Sequence, residues 1–179
     1  MNFSIAGGRD FPAPFFYGSE MNETKRIVIL GIGNLLLKDE GVGIQMIQRL
    51  EQETLPPGVE LVDGGTSTLD ILPLLQGADK IIVIDAMKAG GEPGSIYRCR
   101  PADLIPSEEA PMSLHHIDFL QALKMNKMLG VDLAPRTIIF GVEPGEIEWE
   151  IGLTSALETK IPILKKLVLE EAGKIEEAE

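Results

Sequence analysis

The sequence predicts an α/β protein: a three-layer, Rossmann-like sandwich in which helices cover both faces of a mostly parallel twisted sheet of about five strands, one of them antiparallel. Three observations carry that expectation. Short runs rich in Ile and Val alternate with segments of helical periodicity. Three of those runs are apolar throughout, as strands covered on both faces must be. A further strand-like run follows its predecessor too closely for a crossover helix, so it can only reverse direction.

The runs are R-I-V-I-L-G at 26–31, V-E-L-V-D at 59–63, K-I-I-V-I-D at 80–85 and R-T-I-I-F-G at 136–141, of which the first, third and last are continuously apolar. The reversing strand is G-S-I-Y-R-C-R at 94–100, after the turn-rich K-A-G-G-E-P. Helix one is expected over 41–53, where Val42, Met46, Ile47 and Leu50 share a face. A second should start near Thr68, whose side chain can cap it, and run through L-D-I-L-P-L-L-Q with a kink at Pro73. The third is expected over 116–129, with Gly130 placed to stop it. The last follows another capping residue, Thr154, and runs to about Ala172, with a bend at Pro162.

These elements fill one domain over residues 26–172, which suits a chain of 179 residues, enough for one core and short for two. Residues 1–25 lack periodicity and read as a flexible arm, within which Met21 is a candidate start; residues 173–179 read as an acidic tail. Sixteen Lys and Arg against 28 Asp and Glu give a net charge of −12, whose field opposes nucleic acid and anionic lipid. Cys99, the one cysteine, rules out an intramolecular disulfide, a zinc ribbon and a C-x-x-C redox pair. The arm has no basic start followed by a sustained apolar stretch, and no later run approaches the ~18 apolar residues of a membrane span, so a cytoplasmic protein is expected.

The loop between strand one and helix one carries G-I-G-N at 31–34 and D-E-G-V-G at 39–43. Leu36 stands where a dinucleotide fingerprint needs its third glycine, and no G-K-[ST] follows, so a nucleotide site is weakly supported and the glycines serve equally well to make a tight turn. Asp39 and Glu40 open helix one; Asp39 suits a capping role, which leaves Glu40 free to face the crevice. Asp63 and Asp85 end their strands at the carboxyl edge, where open α/β sheets bind ligands. In a strand order 2-1-3 the ends of strands one and three are neighbours, so Glu40 and Asp85 can converge, and two carboxylates there favour a cation. His115 and His116 begin helix three and diverge by about 100°, so at most one enters a shared site. One histidine with Glu40 and Asp85 makes an N/O donor set suited to nickel or zinc with open positions. Each residue also has an ordinary role open to it as a cap or surface group. Tyr97, Cys99 and Trp149 read as packing residues.

The ordered series G-I-G-N-L-L-L-K-D-E-G-V-G, V-D-G-G-T, I-V-I-D-A, S-L-H, and G-V-E-P with I-G-L-T resembles the nickel-iron hydrogenase maturation proteases over about residues 26–172. The resemblance implies an endopeptidase that removes a short C-terminal extension from the hydrogenase large-subunit precursor after nickel insertion. It implies a metal-sensing site of Glu40, Asp85 and His115, with His116 matching no ligand and Asp63 beside the site, helping to orient water. Nickel would be carried by the substrate, with zinc or cadmium as surrogates. Such a role accounts for a chain with no H-E-x-x-H, no G-x-S-x-G and no Cys-His pair. Two other readings stay open: a nucleotide- or small-ligand-binding module on the same sheet, and a nickel carrier or chaperone without hydrolysis.

Overall fold

A computed structural model describes residues 24–67, 70–104 and 114–174, with the backbone alone over 114–118. Except for their inner ends, the arm expected at 1–25 and the tail expected at 173–179 lie outside the described residues. Five strands form one sheet: β1 (Ile27–Ile32), β2 (Val59–Gly65), β3 (Lys80–Ala86), β4 (Ile96–Cys99) and β5 (Thr137–Val142). Their order is β2-β1-β3-β5-β4. All neighbours are parallel except β4, which runs antiparallel to β5 with Ile96 opposite Val142 and Cys99 opposite Ile139.

The order follows from hydropathy. The two fully buried strands, β3 and β5, lie inside the sheet beside the almost fully buried β1, whereas β2 and β4, only partly buried and carrying Glu60, Asp63 and Arg98, form the edges. Alternation along the inner strands builds two cores. Ile29, Ile82, Ile84, Ile138 and Phe140 face one side with Met46, Ile47, Leu164 and Val168. Val28, Leu30, Ile81, Val83 and Ile139 face the other with Leu75, Phe119 and Leu123. At roughly 1.5–3 kcal/mol per fully buried aliphatic or aromatic side chain, these two layers dominate the stabilising side of folding.

The helices are α1 (Val42–Leu50), α2 (Leu72–Leu75), α3 (Leu114–Met128), α4 (Ser155–Glu158) and α5 (Ile161–Gly173). Helix α1 buries Val42, Met46, Ile47 and Leu50, as its spacing predicts, and is entered through a 3-10 turn at Lys38–Gly41. Two expectations need correction. The second helix is a single turn with Pro73 at its start, where a missing N–H costs nothing, so Pro73 helps begin the helix instead of kinking it; its expected cap, Thr68, lies outside the described residues. The last helix is two helices: Pro162 cannot donate to the Glu158 carbonyl, and the chain breaks between Glu158 and Ile161. Thr154 does cap α4, its Oγ1 accepting from Leu157 N at 3.5 Å, and Gly130 follows α3 at a φ of 94°. Among the described residues, no helix is long and apolar enough to cross a membrane.

Candidate functional site

The loop after β1 folds down onto the carboxyl end of the sheet by backbone contact. At Gly33, φ is 139° and an added Cβ would lie 1.9 Å from the Glu40 carbonyl oxygen. At Gly43, in the first turn of α1, it would lie 2.2 Å from the Ile84 oxygen and 2.3 Å from the Ile32 oxygen. The glycine pattern thus serves close approach of the chain to itself, and the faces of these two glycines are filled by backbone, not open to a phosphate. Asn34 completes the turn: its amide donates to the Glu40 carbonyl at 3.3 Å and its Oδ1 accepts from Leu36 N at 3.0 Å. Glu40 is therefore fixed over the ends of β1 and β3.

Asp85, one residue from the end of β3 and opposite Gly141 on β5, is 1% exposed. Its Oδ1 accepts from Ala86 N at 2.8 Å. Burial pushes its carboxyl well above the ordinary carboxylate range; the Ala86 amide opposes that rise, and the charge of Glu40 adds to it. The structure thus brings Glu40 and Asp85 together, in the order 2-1-3 expected for their strands.

The alternation that turns Ile81 and Val83 toward α3 turns Asp85 the same way. Helix α3 ends at Met128, shortly before β5 begins at Thr137, so its last turn lies toward the amino end of the sheet and its first turn toward the carboxyl end. His115 and His116 are in that first turn, and their side chains lie outside the described residues. Among the described residues there is no group of three His, Cys, Asp or Glu able to hold a metal.

Asp63 is placed differently. It is exposed, sits opposite Gly31 just before a bulge, and accepts a hydrogen bond from Gly65 N at 2.9 Å. With β1 between β2 and β3, two strand spacings, or about 10 Å of sheet, separate its backbone from β3, which makes it a residue of the rim.

Asp39 does not cap α1, which has no side-chain cap. It is fully buried, and its carboxylate accepts from Gly145 N (2.8 Å), Glu146 N (3.1 Å), Thr154 N (2.7 Å) and Thr154 Oγ1 (2.9 Å). It ties the loop after β5 to the residue beside Glu40. Glu143, likewise buried, accepts from Ala89 N (2.8 Å), Gly91 N (3.1 Å) and Tyr97 Oη (3.0 Å), and so fixes the turn that follows Asp85. Tyr97 is therefore more than packing. Trp149 is not packing at all: it is 79% exposed. Cys99 packs against the core that includes Phe119, and burial raises its thiol above the ordinary range, which suits no nucleophile. The sequence signal for Asp39 was present in D-E, but the local rule for helix starts outweighed a partner more than 100 residues away.

The model of the hydrogenase maturation protease family matches residues 44–171, a stretch that includes Asp63, Asp85 and His115 and begins just after Glu40. The chain is 38% identical over 126 residues to the hydrogenase expression/formation protein HupD of Rhodobacter capsulatus, covering 69% of this chain and 60% of that one. It is 33% identical over 156 residues to the hydrogenase 2 maturation protease of Escherichia coli, covering 83% of this chain and 93% of that one. The solved structure of the hydrogenase maturating endopeptidase HybD from Escherichia coli matches with a TM-score of 0.72 at 32% identity, over 83% of this chain and 94% of that one.

Proposed function

The chain belongs to the hydrogenase maturation protease family, a family of peptidases, and on that footing we propose that it removes the C-terminal extension of a nickel-iron hydrogenase large-subunit precursor once nickel has been inserted. The observation that carries this reading is the pair Glu40 and Asp85. A buried carboxylate held against a like charge is costly in isolation, and a divalent cation brought into the crevice would relieve both charges.

In this reading nickel arrives as part of the substrate. Glu40, Asp85 and His115 engage it from the protease side, an O/O/N donor set that suits nickel, and zinc or cadmium would compete for the same donors. Engagement orients the adjoining peptide across the carboxyl ends of β1 and β3. Nickel held by these residues would supply carbonyl polarisation or an activated water, and Asp63, reaching in from the rim, would orient that water. The step belongs to the cytoplasm, before the finished subunit closes. The two backbone-filled glycines argue against the nucleotide reading.

The deciding experiment incubates the protein with nickel-loaded and nickel-free precursor and reads the C-terminal mass. Loss of the extension from the nickel-loaded form alone is expected. Equal cleavage of both forms would sink recognition through nickel, and an intact extension in both would overturn the proteolytic reading.

A further inference from the structure

The loop after β5 carries E-I-E-W-E-I at 146–151, and it lies along the loop that leads to Glu40. Lys38 N donates to Glu150 O at 2.7 Å, Glu150 N to Leu36 O at 3.1 Å, and Asp39 N to Glu146 O at 3.3 Å, with Leu37 and Glu150 paired as a parallel bridge. Alternation separates the side chains. Glu146, Glu148 and Glu150 gather on the ammonium of Lys38, which is held by Glu146 and lies 2.7 Å from Glu148 and 2.9 Å from Glu150. Ile147, Trp149 and Ile151 are left exposed, and Leu36 adds a fourth apolar side chain from the adjoining loop.

Four large apolar groups on two hydrogen-bonded loops make a strip of the kind that marks an interaction surface, with a tryptophan, the residue type most enriched at binding hot spots, in its middle. One ammonium among three carboxylates, each more than half exposed, leaves the border of the strip negative. A second copy of this chain, with its own charge of −12, would be repelled there, whereas an apolar segment flanked by Lys or Arg would be attracted.

We propose that Leu36, Ile147, Trp149 and Ile151 form the docking surface for the hydrogenase precursor, taking an apolar segment of it bordered by basic side chains. This rests on the proposed proteolytic function. The strip is joined to the site by adjacent residues: Lys38 and Asp39 hold it, and Glu40 is next in the chain. Docking there and engagement of nickel by Glu40 therefore act on one short stretch of backbone. The strip supplies choice of partner, while the carboxylates read the metal.

Trp149 is the one tryptophan in the chain, so protein grown with 5-fluorotryptophan gives one fluorine resonance at the centre of the strip. Unlabelled precursor added to this protein should shift or broaden that resonance, and high salt should weaken the effect. The double variant Trp149→Ser, Ile151→Ser should raise KM for tail removal about tenfold with kcat retained, and its melting temperature should match the parent's because both side chains are exposed. A resonance unmoved by precursor overturns the docking surface, whether or not the tail is removed. So does a resonance that moves with protease concentration alone, which would assign the strip to self-association. A wild-type protein that shifts its resonance but leaves the tail intact keeps the surface and refutes the proteolysis.

Discussion

Strand β3 has a buried carboxylate near each end, and the two are held in opposite ways. Near its first residue, Glu171 from α5 is fully buried among three cations: Lys80 at 3.1 Å, Arg98 at 3.0 Å and Lys174 at 2.9 Å. Burial alone would raise its carboxyl, but the hydrogen bonds from Arg98, Lys174 and Lys80 outweigh that and bring it down to about 2. At the other end Asp85 is equally buried, and the charge of Glu40 adds to the upward push of burial. One end of the strand holds its buried carboxylate among three cations; at the other, a second carboxylate lies close enough to add to the push of burial. The contrast sets a carboxylate that serves folding against one raised by its surroundings, the kind of perturbation that clusters at functional sites.

The strongest way to break that division is through activity. Glu40→Ala and Asp85→Ala should each cut tail removal from nickel-loaded precursor by at least about 100-fold, since even outer residues around a metal cost 10- to 100-fold. Glu171→Gln should cleave at the parental rate under conditions where it is folded, as read by precursor mass over time. In stability the ranking should reverse. Glu171→Gln should lose about 3 kcal/mol in urea unfolding at pH 7, from a folded value of about 2 against an ordinary 4.5.

The sign of the pH dependence sharpens the comparison further. A depressed value means that the Glu171 contribution is complete above pH 4.5 and is lost as the pH falls through about 2, so the parent should weaken more steeply in acid than Glu171→Gln. Asp85 works in the other direction: its folded value is raised above 3.8, so its cost is absent below that and grows as the pH rises through the folded value. Asp85→Asn, without added metal, should therefore unfold at higher urea than the parent at neutral pH and at the same urea in acid. The smallest effect belongs to a pair with neither burial nor a cluster. Replacing Arg49, which meets Glu158 at 2.7 Å on the surface, should change stability by roughly 0.5 kcal/mol or less, and a larger loss would show that charge pairing rather than burial sets the scale.

The sheet was legible because its inner strands are apolar throughout and its edge strands are not, a signal each segment carries by itself. Helix α1 was legible for the same reason, through one face of four apolar residues. Asp85 and Glu40 could be paired in advance because strand order alone brings the ends of β1 and β3 side by side. Residues whose work is done across long sequence separations were harder. Asp39 meets Gly145 and Thr154, and Glu171 meets Lys80 and Arg98; neither partnership leaves a local pattern. Trp149 misled for a different reason: an aromatic side chain is an ordinary core residue, and only the chain path at 146–151 turns it outward. Pro73 opens a helix that begins later than Thr68 suggests, and Pro162 opens a second helix after the one that Thr154 caps; in both places a local pattern of helical spacing does not mark where one helix stops and the next begins.

The contact at Gly43 has a consequence for how such a crevice changes by mutation. Between this glycine and the carbonyl oxygens of Ile32 and Ile84 there is no side chain to trim, so no substitution can draw α1 nearer to the strands, while one added methyl would drive it off. The height of Glu40 over the sheet therefore has a floor fixed by main-chain atoms. Single mutations can widen the gap between Glu40 and Asp85, and none at this contact can narrow it.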